Sequence, residues 1–319
     1  MDSDAGPGDA ALPRELLDLV HGYIPRKSLP ACTLISKRWF YSARTCLFRR
    51  VTVRKRRYRS TPVDGQPVEP GEHTLGALER LLDLTSGTDR DVGILVKVLE
   101  FTGSGPYYPY VEISDLDRVL AKLPSLHTLW LARVVLAPCP AEALLLCSQK
   151  PKDLAILHLE SVNISHPKPS LVPSYDYPNH EISGRYLVQL ASMCGQVETL
   201  YIQDVGFGHI SQGYSNLRKN GWRADPSLDY QIGVCIPRTF QVKKLLSYPY
   251  VQLSHADVLE LLRSFRYWDS LEHLDVDETS EAVHQRLLRS VGSNICSIRL
   301  PLIAHLFDTR RTHKEVRGD

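Results

Sequence analysis

The chain has 319 residues, with 43% hydrophobic and 23% charged side chains, proportions of a globular protein of about two domains or one elongated one. No apolar run approaches the ~18 residues of a membrane span, and the acidic, Gly-rich opening MDSDAGPGDA is the reverse of a secretory signal. The net charge of +2 hides an asymmetry: twelve Lys or Arg and no Asp or Glu fall between Leu19 and Val63, so the remainder carries −10, the total less those twelve.

Residues 1–10 have nothing to bury and are expected to be disordered. The next stretch, Leu12 to Phe48, reads LPRELLDLVHGYIPRKSLPACTLISKRWFYSARTCLF. Pro13 stands where a helix start tolerates it. Leu16, Leu17 and Val20 follow at helical spacing, and Pro25 ends the run. Leu29, Cys32, Leu34 and Ile35 mark a second helical turn, and Trp39, Phe40, Ala43 and Leu47 a third. Three short helices cannot bury enough surface to be stable alone, so something else must cover part of them.

Phe48-Arg-Arg-Val51-Thr-Val53 alternates as a strand does, and residues 59–73, with three prolines and two glycines, read as a loop. Beyond them one phrase recurs: apolar, two variable residues, apolar, one variable, apolar. Its copies begin at Val96, Leu126, Leu154, Val197, Leu271 and Ile295, and a further one falls near Phe240 to Leu246. This is the strand segment of a leucine-rich repeat. Val134, Val162 and Val205 occupy the ninth position of three copies, where the usual pattern has Asn or Cys, and Leu136, Ile164 and Phe207 the eleventh. An asparagine ladder is therefore missing and the repeat is irregular. Helices are expected between the strands, one opening at Ser114 as N-cap with Asp115 in its first turn. Others are expected at Ser254, over Gly184 to Cys194 and over Glu278 to Val291.

Three insertions, Gly103–Glu112, Ser165–His180 and Gly206–Arg238, carry Tyr107, Tyr108, Tyr175, Tyr177 and Trp222. Such residues are favoured at interfaces, and insertions in repeat proteins often map to one face. These five are the candidate substrate contacts. The competing expectation is that the loops fold back and cover the edges of the solenoid.

No catalytic site is legible. Gly103-Ser-Gly105 lacks the third glycine of a dinucleotide loop, since Tyr108 stands there. No phosphate-binding loop, nucleophile elbow or H-E-x-x-H occurs, so no metal or cofactor is expected. Seven cysteines without a C-x-x-C pair read as reduced thiols of a cytoplasmic or nuclear protein, with Cys147, Cys194 and Cys296 expected to be buried. His158 and His273, alone at variable strand positions, read as surface residues.

The stretch 11–50 resembles an F-box. The resemblance rests on Leu12-Pro13, Glu15-Leu16-Leu17, Leu29, the block Leu34-Ile35-Ser36-Lys37-Arg38-Trp39 and the exit Ala43-Arg44 to Leu47-Phe48. Arg26-Lys27-Ser28 departs from it, standing where many members carry an acidic residue. The resemblance implies docking onto a Skp-type adaptor and, through it, a cullin. The adaptor contacts it implies are Leu12, Pro13, Leu16, Leu17, Leu34 and Trp39, some of which must be internal core.

The expectation is an α/β chain: a three-helix head over 11–50, a leucine-rich-repeat-like solenoid with parallel strands over 51–307, and a charged tail over 308–319. Its function would be that of a substrate receptor in a cullin–RING ubiquitin ligase, with no catalysis of its own and an unidentified target protein. The alternative is a repeat scaffold that binds nucleic acid or another acidic partner through the basic segment Arg49–Arg59.

Overall fold

The computed structural model describes residues 12–54, 74–88, 91–103, 110–137, 151–164, 190–191, 193–207, 240–248, 270–277, 289 and 293–299. The chain enters α1 (Arg14–Tyr23) through Pro13, whose carbonyl accepts from the Leu16 and Leu17 amides. Glu15 in the first turn suits the positive end of the helix dipole. After Pro25 come a 3₁₀ turn (Arg26–Ser28) and a four-residue helix, α2 (Leu29–Cys32). Helix α3 (Lys37–Phe48) begins at Ser36, whose hydroxyl accepts from the Trp39 amide at 3.3 Å. That bond is an N-cap, made to the backbone amide three residues on.

Leu17, Leu29, Cys32 and Ala43 form the interior of this head. Polar groups are buried with them. Ser42 on α3 gives its one hydroxyl proton to the Asp18 carboxylate on α1. Its oxygen therefore accepts from the His21 Nδ1–H, at 2.8 Å. The His21 ring meets Trp39 edge-on, with centroids 5.0 Å apart.

From α3 the chain passes through Arg49 straight into β1 (Arg50–Arg54). Seven more strands extend the sheet: β2 (Val98–Thr102), β4 (Thr128–Ala132), β6 (Lys152–Glu160), β8 (Cys194–Gln203), β10 (Gln241–Tyr248), β11 (His273–Val276) and β12 (Ser297–Arg299). Their order in space is their order in the chain, and every pair is parallel. A second parallel sheet joins β3 (Tyr110–Glu112), β5 (Val135–Ala137), β7 (Asn163–Ile164) and β9 (Gly206–Phe207), again in chain order.

Apart from one irregularity in β6 between Lys152 and Leu154, the register is kept from strand to strand, so like positions stack. Leu99, Leu129, Leu157, Leu200, Leu245 and Leu274 form one buried row across β2 to β11. Phe101, Leu131, Leu159 and Ile202 form the next, and the ninth-position valines Val134, Val162 and Val205 a third. Helix α4 (Thr74–Thr85) adds Leu75, Leu78 and Leu82 to the same core, and α5 (Ile113–Ala121) adds Leu116, Val119 and Leu120. The two helices are clamped at the surface by Lys122, whose ammonium reaches Glu79 at 3.1 Å and Asp83 at 2.6 Å.

Between the two sheets the chain turns sharply at one recurring position. Arg133, Ser161 and Asp204 hold φ of 54°, 49° and 51° there. Each amide donates to the last carbonyl of the neighbouring strand: Arg133 to Glu160 at 2.8 Å, Ser161 to Gln203 at 2.7 Å, Asp204 to Tyr248 at 3.3 Å. Gly103 repeats the bond with Ala132 at 2.9 Å. Backbone groups thus serve each other at these turns without an asparagine ladder.

Several expectations change. Parallel strands in an α/β chain are found, and the described residues contain five α-helices: three in the head, α5 near the expected start at Ser114, and α4, which was not expected. Helix α4 was left unassigned, although Leu75, Leu78 and Leu82 mark its buried face. Helix α5 starts at Ile113 with Glu112 at its N-cap position, so Ser114 is inside the helix and caps nothing. The expected helix at Ser254 and most of those over 184–194 and 278–291 lie outside the described residues.

Leu129→Ala should cost about 2–5 kcal/mol of stability, because the cavity opens in the middle of a full row. Arg133→Gly should instead stabilise by up to about 1 kcal/mol by relieving a left-handed turn. Urea unfolding of both variants checks the pair.

Candidate interaction surfaces

The head buries its polar network and leaves apolar side chains outside. Leu12 and Leu16 are each 46% exposed, Leu34 is 86% and Ile35 61%. Pro13 is exposed beside Leu12. Of the other expected adaptor contacts, Leu17 is 1% exposed and belongs to the interior. Trp39 is half-buried, one edge against His21. Leu19 and Tyr23 extend the exposed apolar side of α1.

The departure at Arg26 has a structural role. Its guanidinium donates to the Leu47 carbonyl at 3.0 Å, near the end of α3, and also to the Arg50 carbonyl in β1. Arg50 in turn pairs with Glu100 on β2, and Thr52 donates to the same carboxylate at 2.8 Å. Burial raises the Glu100 carboxyl, but the hydrogen bonds from Arg50 and Thr52 outweigh it and hold it below the usual range. Arg50 is therefore engaged within the fold. Arg49 and Arg54 are exposed, while 55–59 of the basic segment lie outside the described residues.

The second surface is the open face of the large sheet. Neighbouring strands lie ~4.8 Å apart, close to the contact distance of flat rings. Trp130 on β4 and His158 on β6 use this spacing: their rings stack with centroids 4.5 Å apart and planes 8° from parallel. Tyr201 on β8 continues the row at 4.0 Å from His158, and Tyr248 on β10 lies 5.5 Å from Tyr201. The tyrosines are anchored. Tyr201 donates to Gln203 Oε1 at 3.1 Å and Tyr248 to Asp275 Oδ2 at 3.0 Å. Ile156 lies exposed on the same face.

Burial within the stack pushes the His158 imidazole down to about 4. Glu160 is 3.9 Å from Nε2, beyond hydrogen-bond reach, and does not offset this. The ring is therefore neutral near pH 7 and forms no ion pair with Glu160. Burial, then the nearby Glu160 charge, raises the Tyr201 phenol.

This row answers to residues that the sequence reading passed over. His158 is part of a packed stack, whereas His273 is exposed as expected. The signal was present: Trp130, His158 and Tyr201 all occupy the fifth position of their phrases. Cys194 is buried as expected, but Cys296 is exposed, because the core rows thin out towards β12, whose residues all lie open. Cys147 and the candidate substrate contacts Tyr107, Tyr108, Tyr175, Tyr177 and Trp222 lie outside the described residues. Among the described residues no helix is long and apolar enough to cross a membrane.

His158 supplies a pH dependence with a definite sign. Its folded value lies below the ~6.5 of an unfolded chain. Between those values the unfolded chain binds the proton and the folded one does not, so stability falls as pH drops through the window. The loss should reach at most about 3 kcal/mol. His158→Phe should flatten this slope between pH 6.5 and 4, read by urea unfolding.

No protein-family model matches the chain, and no curated protein matches it.

Proposed function

We propose that this chain is a substrate-receptor subunit of a cullin–RING ubiquitin ligase. Its head docks a Skp-type adaptor, and its sheet, an irregular leucine-rich-repeat-like solenoid, holds a target protein. The chain carries out no chemistry; it brings the target near to catalytic subunits, which raises effective concentration. Such a role belongs in the cytoplasm or nucleus.

The observation that carries this reading is the inverted head. Leu12, Pro13, Leu16, Leu34 and Ile35 are exposed while His21 and Ser42 are buried. A helical cap serving only its own domain would turn the leucines inward. An apolar strip of this kind marks a surface for a second protein. Three features support the solenoid: strand order equal to chain order, parallel pairing that stacks like positions, and a second sheet that follows the same sequence. In the basic segment of the nucleic-acid alternative, Arg50 is already paired with Glu100.

Leu12→Ala combined with Leu34→Ala should abolish co-purification with a Skp-type adaptor. Both side chains are exposed, so stability should change by no more than about 0.5 kcal/mol per site. Leu17→Ala should instead cost about 2–5 kcal/mol, since that side chain is interior. If the double variant still captures the adaptor at wild-type levels, the reading is wrong.

A further inference from the structure

The open face of the sheet carries more than a row of rings. At one end, Glu100 is neutralised by Arg50. At the other, Asp275 accepts from Tyr248 and faces Arg299 at 3.7 Å. Between them stands Glu160, half-buried, one residue beyond His158 and Leu159. Among the described residues no Lys or Arg pairs with it; the basic side chain nearest it is the imidazole of His158, at 3.9 Å. That ring is neutral at pH 7, so the carboxylate charge on this part of the face is uncompensated.

We propose that the face over β4, β6 and β8 docks a cationic segment of a target protein, with the edges of Trp130, His158 and Tyr201 taking the aliphatic stem of an Arg or Lys and Glu160 taking its charge. The inference rests on the reading of the sheet as the target-holding part and names the class of target. Long basic side chains lay their methylenes on apolar surface and keep the charged head beside it. A stacked row with a carboxylate at its border offers both parts. Ile156, exposed on the same face, widens the apolar strip. The tyrosine hydroxyls are already bonded to Gln203 and Asp275, so the platform is ordered before anything binds. The twelve cations between Leu19 and Val63 belong to the amino-terminal part, and the remainder of the chain carries a net charge of −10, the +2 total less twelve. A single-stranded nucleic acid would need open ring faces for its bases. Here Trp130 and His158 cover each other's faces, and Glu160 repels phosphate.

The test uses the full chain and a short fluorescein-labelled peptide of alternating Arg and Leu, read by anisotropy. Its counterparts carry Gln or Glu in place of Arg. The Arg peptide should bind at least about tenfold more tightly than the Gln peptide, a difference on the order of 1.4 kcal/mol. Glu160→Gln should erase that preference with the melting temperature unchanged, and Glu160→Lys should transfer it to the Glu peptide. Equal binding of the Arg and Gln peptides, an unchanged preference in both variants, or displacement of the peptide by an oligouridylate would overturn the proposal. Capture of a Skp-type adaptor is measured on the same preparations. Adaptor bound without peptide preference refutes this inference and leaves the ligase reading standing. Peptide preference without adaptor refutes the ligase reading and leaves the docking face standing.

Discussion

Every inner strand of the large sheet is hydrogen-bonded to a neighbour on each side. A parallel strand has no hairpin partner, so its amides and carbonyls must be met by strands that come from elsewhere in the chain. Here they come from the strands before and after. The Arg49 carbonyl takes the Lys97 and Val98 amides, the Lys97 carbonyl takes those of His127 and Thr128, and the His127 carbonyl takes those of Ala155 and Ile156. The left-handed turns at Arg133, Ser161 and Asp204 apply the same rule at the other end of each strand. This dependence fixes the register, and the register produces the rows. A slip of one residue would move every leucine of the central row to the open face and every ring of the aromatic row into the core.

The head shares in this arrangement, because its last helix runs into the first strand with one residue between. Arg26 bonds carbonyls on both sides of that passage, at Leu47 and Arg50. Glu100 then ties β1 to β2 through Arg50 and Thr52. The boundary between head and sheet is thus made of bonded polar groups. The head has an apolar interior of Leu17, Leu29, Cys32 and Ala43, but it also buries His21 and Ser42 and leaves several large apolar side chains outside. Burying the Asp18–Ser42–His21 chain costs desolvation that its hydrogen bonds only offset. Leaving Leu34 and Ile35 outside forgoes apolar burial that the head could have used.

The strands were legible because their signal is local and repeated. Each six-residue phrase pairs a spacing with a burial pattern, and Leu99, Leu129, Leu157 and Leu200 are buried where the phrase says they should be. The copy near Phe240, inferred from an overlong gap, became β10. What escaped notice depended on distance in sequence. The role of Arg26 needs a carbonyl 24 residues away. The stack of Trp130, His158 and Tyr201 needs three strands brought side by side. Each aromatic alone is an unremarkable variable position, and only the shared register makes a row of them. The five aromatics chosen as substrate contacts were chosen by composition, which carries no information about where a loop folds.

The same register decides how charge is spent on the open face. Side chains meet the lateral and diagonal neighbours on adjacent strands, so a carboxylate is neutralised only if one of those strands supplies a cation within reach. Glu100 has Arg50 beside it, and Asp275 has Arg299. Glu160 has His158 two residues away on its own strand and Gln203 across from it in register. An ordinary imidazole there would carry part of a proton near pH 7 and mask the charge. Stacking against Trp130 and Tyr201 desolvates the ring and pushes its value down to about 4. The aromatic row therefore does two things at once: it forms an apolar platform, and it keeps its own histidine from cancelling the carboxylate at its border.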